Sequence, residues 1–387
     1  MPKDITLEAH ATAPKSVRDL QKYYQKLPVE SIPNTPHVLD FRHFNSASVH
    51  AGSPLEVIDT ISPEILVVVY EEFLGRRVDP SLLQPVNVYG HPSLPGLRIL
   101  PSLLPIQVQE ALLSKLLLRD LSNQEHLTNI HLHYNVPYPD PDKSFFDLPN
   151  STTFTPKDPE VHKPLHVVDV LEKKLRWMTL GGQYDWTAKE YPNGPPVQFP
   201  RDIRNLIRGI FPTVEPEAAI CNTYSPGDTL STHRDVSEEA DKDLVSISIG
   251  CDALFLISLS PESQDTDAVS PTNTATSSKP QPQKQNKRRK GKEPPPPPPP
   301  PPPLDNHTLI IRIRSGDAVV MGGQSRWAWH GVPKVIGETC PEELAHWPNL
   351  YDDQSPDNAD KIDWDGWMKR KRVNLNIRQM YEHNSLN

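Results

Sequence analysis

From Arg372 to Arg378 the chain reads RVNLNIR, with apolar and polar residues in strict alternation. A period of two predicts a β-strand with one face on a core. The other face carries two arginines and two asparagines, so it looks out at water or into a polar cavity. The same short period recurs upstream. AAICNTYSPGDTLSTHRD (218–235) is strand-like and breaks at SPGD, a strong turn signal. DLVSISIG (243–250), ALFLISL (253–259) and HTLIIRIRSGDAVVMGG (307–323) continue the pattern. Before residue 218 the periods lengthen. SVRDLQKYYQKL (16–27) predicts a short helix, and PIQVQEALLSKLLLRDL (105–121) an amphipathic one opened by proline, whose missing N–H is harmless there. Segments 167–181 and 199–211 are helical or mixed, and GLRILPSLL (96–104) is strand-like. ILVVVYEEFL (65–74) is a compact apolar run that fits strand or helix, and 125–160, rich in Pro and Asp, reads as irregular.

Composition changes this picture in one place. Proline makes up 45 of 387 residues, more than twice its usual share. Much of that excess falls in 261–303, a polar run ending in ten prolines, Pro294–Pro303. Such a stretch cannot offset its ordering entropy by apolar burial and predicts a disordered insert between two paired strands. Loop closure cost grows only logarithmically with length, so a hairpin tolerates it. The chain therefore divides into an extension of unassigned fold (1–95), a segment that precedes the strands (96–216), and a strand-rich region (217–382) interrupted by 261–303.

Net charge is −9, so polyanion binding would need a local basic patch. Three scattered cysteines suit a reducing compartment. The first residues show no apolar signal core, and no run of 18 apolar residues predicts a membrane span. Nucleus or cytoplasm is expected, with the mitochondrion left open. KQNKRRKGK (284–292) reads as a localisation signal, a nucleic-acid tail or a solvated charge run. The proline run predicts polyproline II, either a spacer or a ligand for SH3-, WW- or profilin-type partners.

Among 15 histidines, His233 stands out because Asp235 follows at i+2. Positions i and i+2 of one strand share a side, so an imidazole and a carboxylate converge. Two histidines and one carboxylate on one face are the ligand set of non-heme Fe(II) oxygenases, although H-x-D alone often occurs by chance. His330, in GGQSRWAWHGVPKV, is the best second histidine; its bland reading is a buried, hydrogen-bonded ring. His307, His346 and His383 are poorer choices. Such a site needs a co-substrate. The far carboxylate of 2-oxoglutarate suits a permanently charged, bidentate arginine, and Arg372 and Arg378 lie on one strand face.

Together these segments resemble the AlkB-like Fe(II)/2-oxoglutarate-dependent dioxygenases. Asn222-Thr-Tyr224 followed by LSTHRD (230–235) is similar to the family's N-x-Y … L-x-x-H-x-D. LVSISIG, SGDAVVMGGQSRWAWHGVPKV (315–335) and RVNLNIR follow in the family's order. LRWMTLGGQYDW (175–186) resembles the branch grouped with the first human AlkB homologue; the Pro-rich insert, fungal in character, departs from the compact family core. The resemblance implies an α+β fold: a double-stranded β-helix, or jelly roll, with flanking helices and an N-terminal extension. It implies that His233, Asp235 and His330 bind Fe(II), and that Arg372 clamps 2-oxoglutarate. It further implies that Asn222, Tyr224, Asn374 and Arg378 support the co-substrate while Leu230 and Ser246 line its pocket. The polar face of RVNLNIR would then point inward.

The implied reaction is oxidative demethylation with O2 as oxidant, methyl leaving as formaldehyde while 2-oxoglutarate becomes succinate and CO2. The implied substrate is methylated RNA or DNA, for example N-methyladenine. Trp177, Tyr184 and Trp186, with Tyr191, lie where the family carries a substrate lid, and serve either stacking or packing. Arg201, Arg204 and Arg208, and KRKR (369–372), could contact phosphates or be plain surface charge. A 2-oxoglutarate oxygenase acting on protein is the alternative enzyme. A silent adaptor would have no need of the intact H-x-D … H and arginines, and a zinc hydrolase no use for the arginine strand.

Overall fold

The computed structural model describes residues 8, 11–35, 37–43, 55–185, 191, 197–260, 300–349 and 362–382. In chain order these form α1 (Lys15–Lys26), β1 (Val38–Leu39), β2 (Glu56–Ile61), α2 (Pro63–Leu74), β3 (Val86–Gly90), β4 (Leu97–Leu100) and α3 (Ile106–Ser114). Three short strands follow: β5 (Tyr134–Asn135), β6 (Thr153–Pro156) and β7 (Leu165–His166). After them come β8 (Trp177–Gly181) and α4 (Arg201–Ile210). The remaining strands are β9 (Ala218–Tyr224), β10 (Leu230–His233), β11 (Leu244–Gly250), β12 (Asp252–Ser258), β13 (Thr308–Ile313), β14 (Ala318–Met321), β15 (Trp329–Ile336) and β16 (Arg372–Arg378). No helix among the described residues is long and apolar enough to cross a membrane.

Two sheets carry the architecture. The larger has the order β2-β3-β4-β14-β11-β16-β9-β8, the smaller β1-β13-β12-β15-β10. From β9 onward the chain passes back and forth between them, the winding of a jelly roll. The alternating sequence explains which side of each sheet is dry. In ALFLISL, Leu254 and Leu256 pack outward against Val17, Leu20 and Tyr24 of α1. Phe255 and Ile257 face inward, with Val319 and Met321. In the larger sheet Val245, Ile247, Val373, Leu375 and Ile377 pack outward with Leu112 of α3 and Ile203 and Leu206 of α4. Fully burying one such side chain is worth about 1.5–3 kcal/mol. The polar positions between them are thereby turned into the space between the sheets.

The described residues of 1–95, a segment the sequence left without a fold, contribute to both sheets. Helix α1 covers the smaller one, β1 pairs in parallel with β13, and β2 and β3 extend the larger one through β4. The ambiguous run 65–74 is helical: Pro63 opens α2 and Gly75 closes it at φ 66°, a conformation glycine adopts without strain. The predicted 105–121 helix is α3, continued to Asp120 by a wider π-helical turn. Strands β12 and β13 pair from Ser258–Thr308 inward, so the insert does fall between two paired strands. Its residues 261–299 lie outside the described residues, so the partner expected on Pro294–Pro303 stays a reading of the sequence.

Candidate active site

Strands β10 and β15 face each other with His233 opposite His330, and a register shift separates that pair from Leu230–Val332. Gly331 permits this close approach: a Cβ there would stand 2.8 Å from the Leu230 carbonyl oxygen. Strand β10 ends at His233, so Asp235 does not share a strand with it. The convergence predicted from i and i+2 is achieved instead by the turn beyond β10. Asp235 lies 3.6 Å from the His233 Nε2 and 3.7 Å from the His330 Nε2. The three side chains can present ligand atoms all within 4.8 Å of one another.

The orientation of both rings is fixed from behind. His233 Nδ1 lies 2.9 Å from the Ser231 carbonyl oxygen and His330 Nδ1 3.1 Å from that of Ala328. A carbonyl only accepts, so each Nδ1 carries the proton and each Nε2 offers a lone pair. Burial, helped by neighbouring His233, pulls the His330 pKa down to about 4, which keeps the ring neutral as a ligand must be. Burial alone would raise Asp235; Arg378, then His233 and His330, overcome it and hold the carboxyl well below the usual range.

Arg378 donates to Asp235 Oδ2 at 2.8 Å and pairs with Glu238 Oε1 at 3.0 Å. Arg326 completes the cluster. It donates to the Asp235 carbonyl oxygen at 2.6 Å, to Glu238 Oε2 at 2.7 Å and to the Lys242 carbonyl oxygen at 3.0 Å. Glu238 and Arg326 were not singled out from the sequence. Arg326 was visible in the SR of GGQSRWAWH; nothing in periodicity marks Glu238.

The register of the larger sheet orders the inward face. Arg372 stands opposite Tyr224 and Gly250; Asn374 opposite Asn222 and Ser248; Asn376 opposite Ser246 and Ile220; Arg378 opposite Ala218. A cavity between the sheets is lined by Leu230, Ser246, Ser248, His330, Arg372 and Asn374, among others. Asn374 donates to Ser246 Oγ and to the Ile247 carbonyl, both at 2.9 Å. Arg372 donates to Ser248 Oγ at 2.8 Å and is buried, yet among the described residues no carboxylate pairs with it. Among the described residues its Nε and the buried Tyr224 hydroxyl have no hydrogen-bond partner. Burial pulls the Arg372 pKa down.

Arg378 is held by Asp235 and Glu238, whereas of the two arginines Arg372 lines the cavity. Trp177 pairs with Asn222, toward the Arg372 end of the sheet. Tyr184 does lie at the histidine end, its hydroxyl 3.2 Å from Ser237 Oγ and its ring edge-on to Tyr191. Trp186 lies outside the described residues. On α4, Arg204 and Arg208 both pair with Glu215, at 3.4 and 3.3 Å.

These residues suit the groups they would hold. Two imidazoles with free Nε2 atoms and one carboxylate form a facial set that leaves a divalent metal's other positions open. The unpartnered Arg372 Nε and Tyr224 hydroxyl suit an anionic ligand reaching in from the metal side.

Residues 130–378 match the model of the 2OG-Fe(II) oxygenase superfamily. The chain is 43% identical over 324 residues to the N6-methyladenosine RNA demethylase ALKB1 of Pyricularia oryzae, covering 80% of this chain and 81% of that one. It is 45% identical over 258 residues to the N6-methyladenosine RNA demethylase ALKBH of Cryphonectria parasitica (65% and 99% covered). It is 32% identical over 312 residues to the tRNA demethylase abh1 of Schizosaccharomyces pombe (76% and 82% covered). The chain belongs to the 2OG-Fe(II) oxygenase superfamily, as an ALKBH1-like dioxygenase of the fungal branch.

Proposed function

We propose that this chain oxidatively demethylates N6-methyladenine in RNA, with Fe(II) held by His233, Asp235 and His330 and 2-oxoglutarate held by Arg372. The observation that carries the co-substrate assignment is the buried, carboxylate-free Arg372 beside His330 in one cavity. The base assignment follows the names of the two relatives above 40% identity.

When bound, Fe(II) with 2-oxoglutarate supplies the activation of O2. The chain supplies the rest. Ser231 and Ala328 hold each histidine in the tautomer that leaves Nε2 free. Arg378 keeps Asp235 ionised, and Arg326 fixes the backbone at that residue. Arg372 and Tyr224 would hold the far carboxylate of 2-oxoglutarate, the guanidinium serving as a permanently charged donor. Leu230, Val332 and Phe255 line the same cavity and exclude water. Tyr184 and Tyr191 stand at the histidine end, where a base would enter and stack.

The test is direct. Purified protein with Fe(II), 2-oxoglutarate and an oligoribonucleotide bearing one N6-methyladenosine should yield formaldehyde, succinate and adenosine in equal amounts. Succinate formed without loss of the methyl group, together with oxidation of a protein substrate, would transfer the assignment to the protein oxygenase.

A further inference from the structure

The basic stretch KRKR (369–372) divides sharply in the structure. Lys371 and Arg372 are buried, while Lys369 and Arg370 are exposed on the turn before β16. Lys371 Nζ donates to the Glu172 carbonyl oxygen at 2.6 Å and to Ser225 Oγ at 3.0 Å. That contact brings the turn 170–176, with exposed Lys173, Lys174 and Arg176, beside residues 369–371. Asn129 fixes the turn from below, donating to the Lys174 carbonyl oxygen and accepting from the Arg176 N–H, both at 2.8 Å. Lys173 pairs with Asp169 at 3.1 Å, and Arg176 pairs with Asp228. Among the described residues Lys174, Lys369 and Arg370 have no ion-pair partner. Among the described residues these six cations have three carboxylate partners, Asp169, Glu172 and Asp228, on a chain of net charge −9. The arginines of α4 behave oppositely, two of them turned onto Glu215.

We infer that this patch binds the phosphate backbone of the RNA substrate outside the reacting nucleotide. The inference rests on the proposed function and adds the place where flanking nucleotides land. Arg372 and Arg378 mark the two ends of β16, about 20 Å apart at strand rise. Asp235 sits at the far end. The patch therefore lies at the end of β16 opposite the one that Asp235 contacts, placed for nucleotides flanking the reacting one. Exposed lysines and arginines in excess of acids supply the sequence-independent, salt-sensitive part of nucleic-acid affinity.

The test is binding of a fluorescent, unmethylated oligoribonucleotide to the full chain by anisotropy, which needs no catalysis. Reversing four charges (K173E, K174E, K369E, R370E) should weaken binding on the order of tenfold or more at low salt. It should also flatten the dependence of log affinity on log salt by about 0.7 for each phosphate no longer neutralised. The same four positions changed to alanine should give a smaller drop in the same direction, which guards against a misfolded charge-reversed protein. R208Q on α4 should leave binding unchanged. Unaltered affinity and salt slope in both patch variants would overturn the inference, as would an equal drop in R208Q. Capture of the protein by anionic vesicles but not by RNA would also overturn it. In an active protein, demethylation of the free nucleoside should be unaffected by the patch variants; absence of demethylation from every substrate would count against the proposed function alone.

Discussion

Arg372 and Arg378 are the same residue type on the same face of the same strand, both buried, yet they live in opposite electrostatic surroundings. Arg378 touches two carboxylates, Asp235 and Glu238. Arg372 touches a serine hydroxyl and, at 3.4 Å, the Cys251 carbonyl oxygen. A buried ion with counter-ions in place is part of the scaffold. A buried guanidinium whose direct contacts are all neutral is costly to the folded chain and marks a place for an anion. The difference sets a residue paired beside the proposed metal site apart from one suited to receive an anion.

The largest effect should come from removing what makes Arg378 differ. Asp235→Ala deletes a proposed metal ligand and leaves Arg378 paired with Glu238 alone. Turnover should fall below detection and calorimetric binding of Mn(II), an oxygen-inert stand-in for Fe(II), should be lost. The protein should still show a cooperative melt, because no apolar contact of the core is removed. Retained Mn(II) affinity would show that the ligand set lies elsewhere.

Next comes the comparison itself. Arg378→Met leaves Asp235 without its guanidinium partner and Glu238 with Arg326 alone, and breaking such a buried pair costs about 3–5 kcal/mol of stability. Arg372→Met removes an unneutralised buried charge, so thermal stability should hold or rise. Affinity for 2-oxoglutarate should drop by about 2–5 kcal/mol, the usual cost of cutting one side of a buried charged pair. Equal destabilisation by both variants would erase the distinction. Arg372→Lys then sharpens it: the charge returns without the bidentate fork, so 2-oxoglutarate binding by calorimetry should fall between wild type and the methionine variant.

How much of this was legible beforehand depends on whether a residue's role is local. The alternation of RVNLNIR and ALFLISL gave the strands and their two faces, because burial on one side imposes a period of two. The H-x-D and distant H were legible through motif order, while the reason for their convergence was not, since β10 stops at His233 and a turn carries Asp235. The separate fates of Arg372 and Arg378 depend on Glu238 and Ser248, which reach them only through the fold. Trp177 and Tyr184, close in sequence, face opposite ends of the sheet because β8 runs between them. Segment 1–95 gave no fold because its pieces, α1, β1, β2 and β3, each complete a sheet made by residues far away.

The smallest effect should follow from deleting 261–299, although the hairpin base lies one register step from a proposed ligand. Ile257 pairs with His330 and Ser258 with Trp329, so slippage of β12 against β15 would move the histidine. The base, however, is closed by residues outside the deletion. Ser258 Oγ lies 2.8 Å from the Thr308 hydroxyl and donates to Ser260 Oγ at the same distance, and Ser260 donates in turn to Asp305. Deletion shortens the connection between Ser258 and Thr308 about fivefold. At about 0.6 kcal/mol per doubling, loop closure then becomes easier by about 1.4 kcal/mol. Melting temperature should stay level or rise slightly, and turnover should be unchanged. Replacing Ser258 by alanine in the shortened chain should do more harm than the deletion, because it leaves the Thr308 and Ser260 hydroxyls short of a buried partner. If the deletion alone lowers Mn(II) affinity while the alanine change does not, the register of His330 is set by the insert and not by the hydroxyls beneath it.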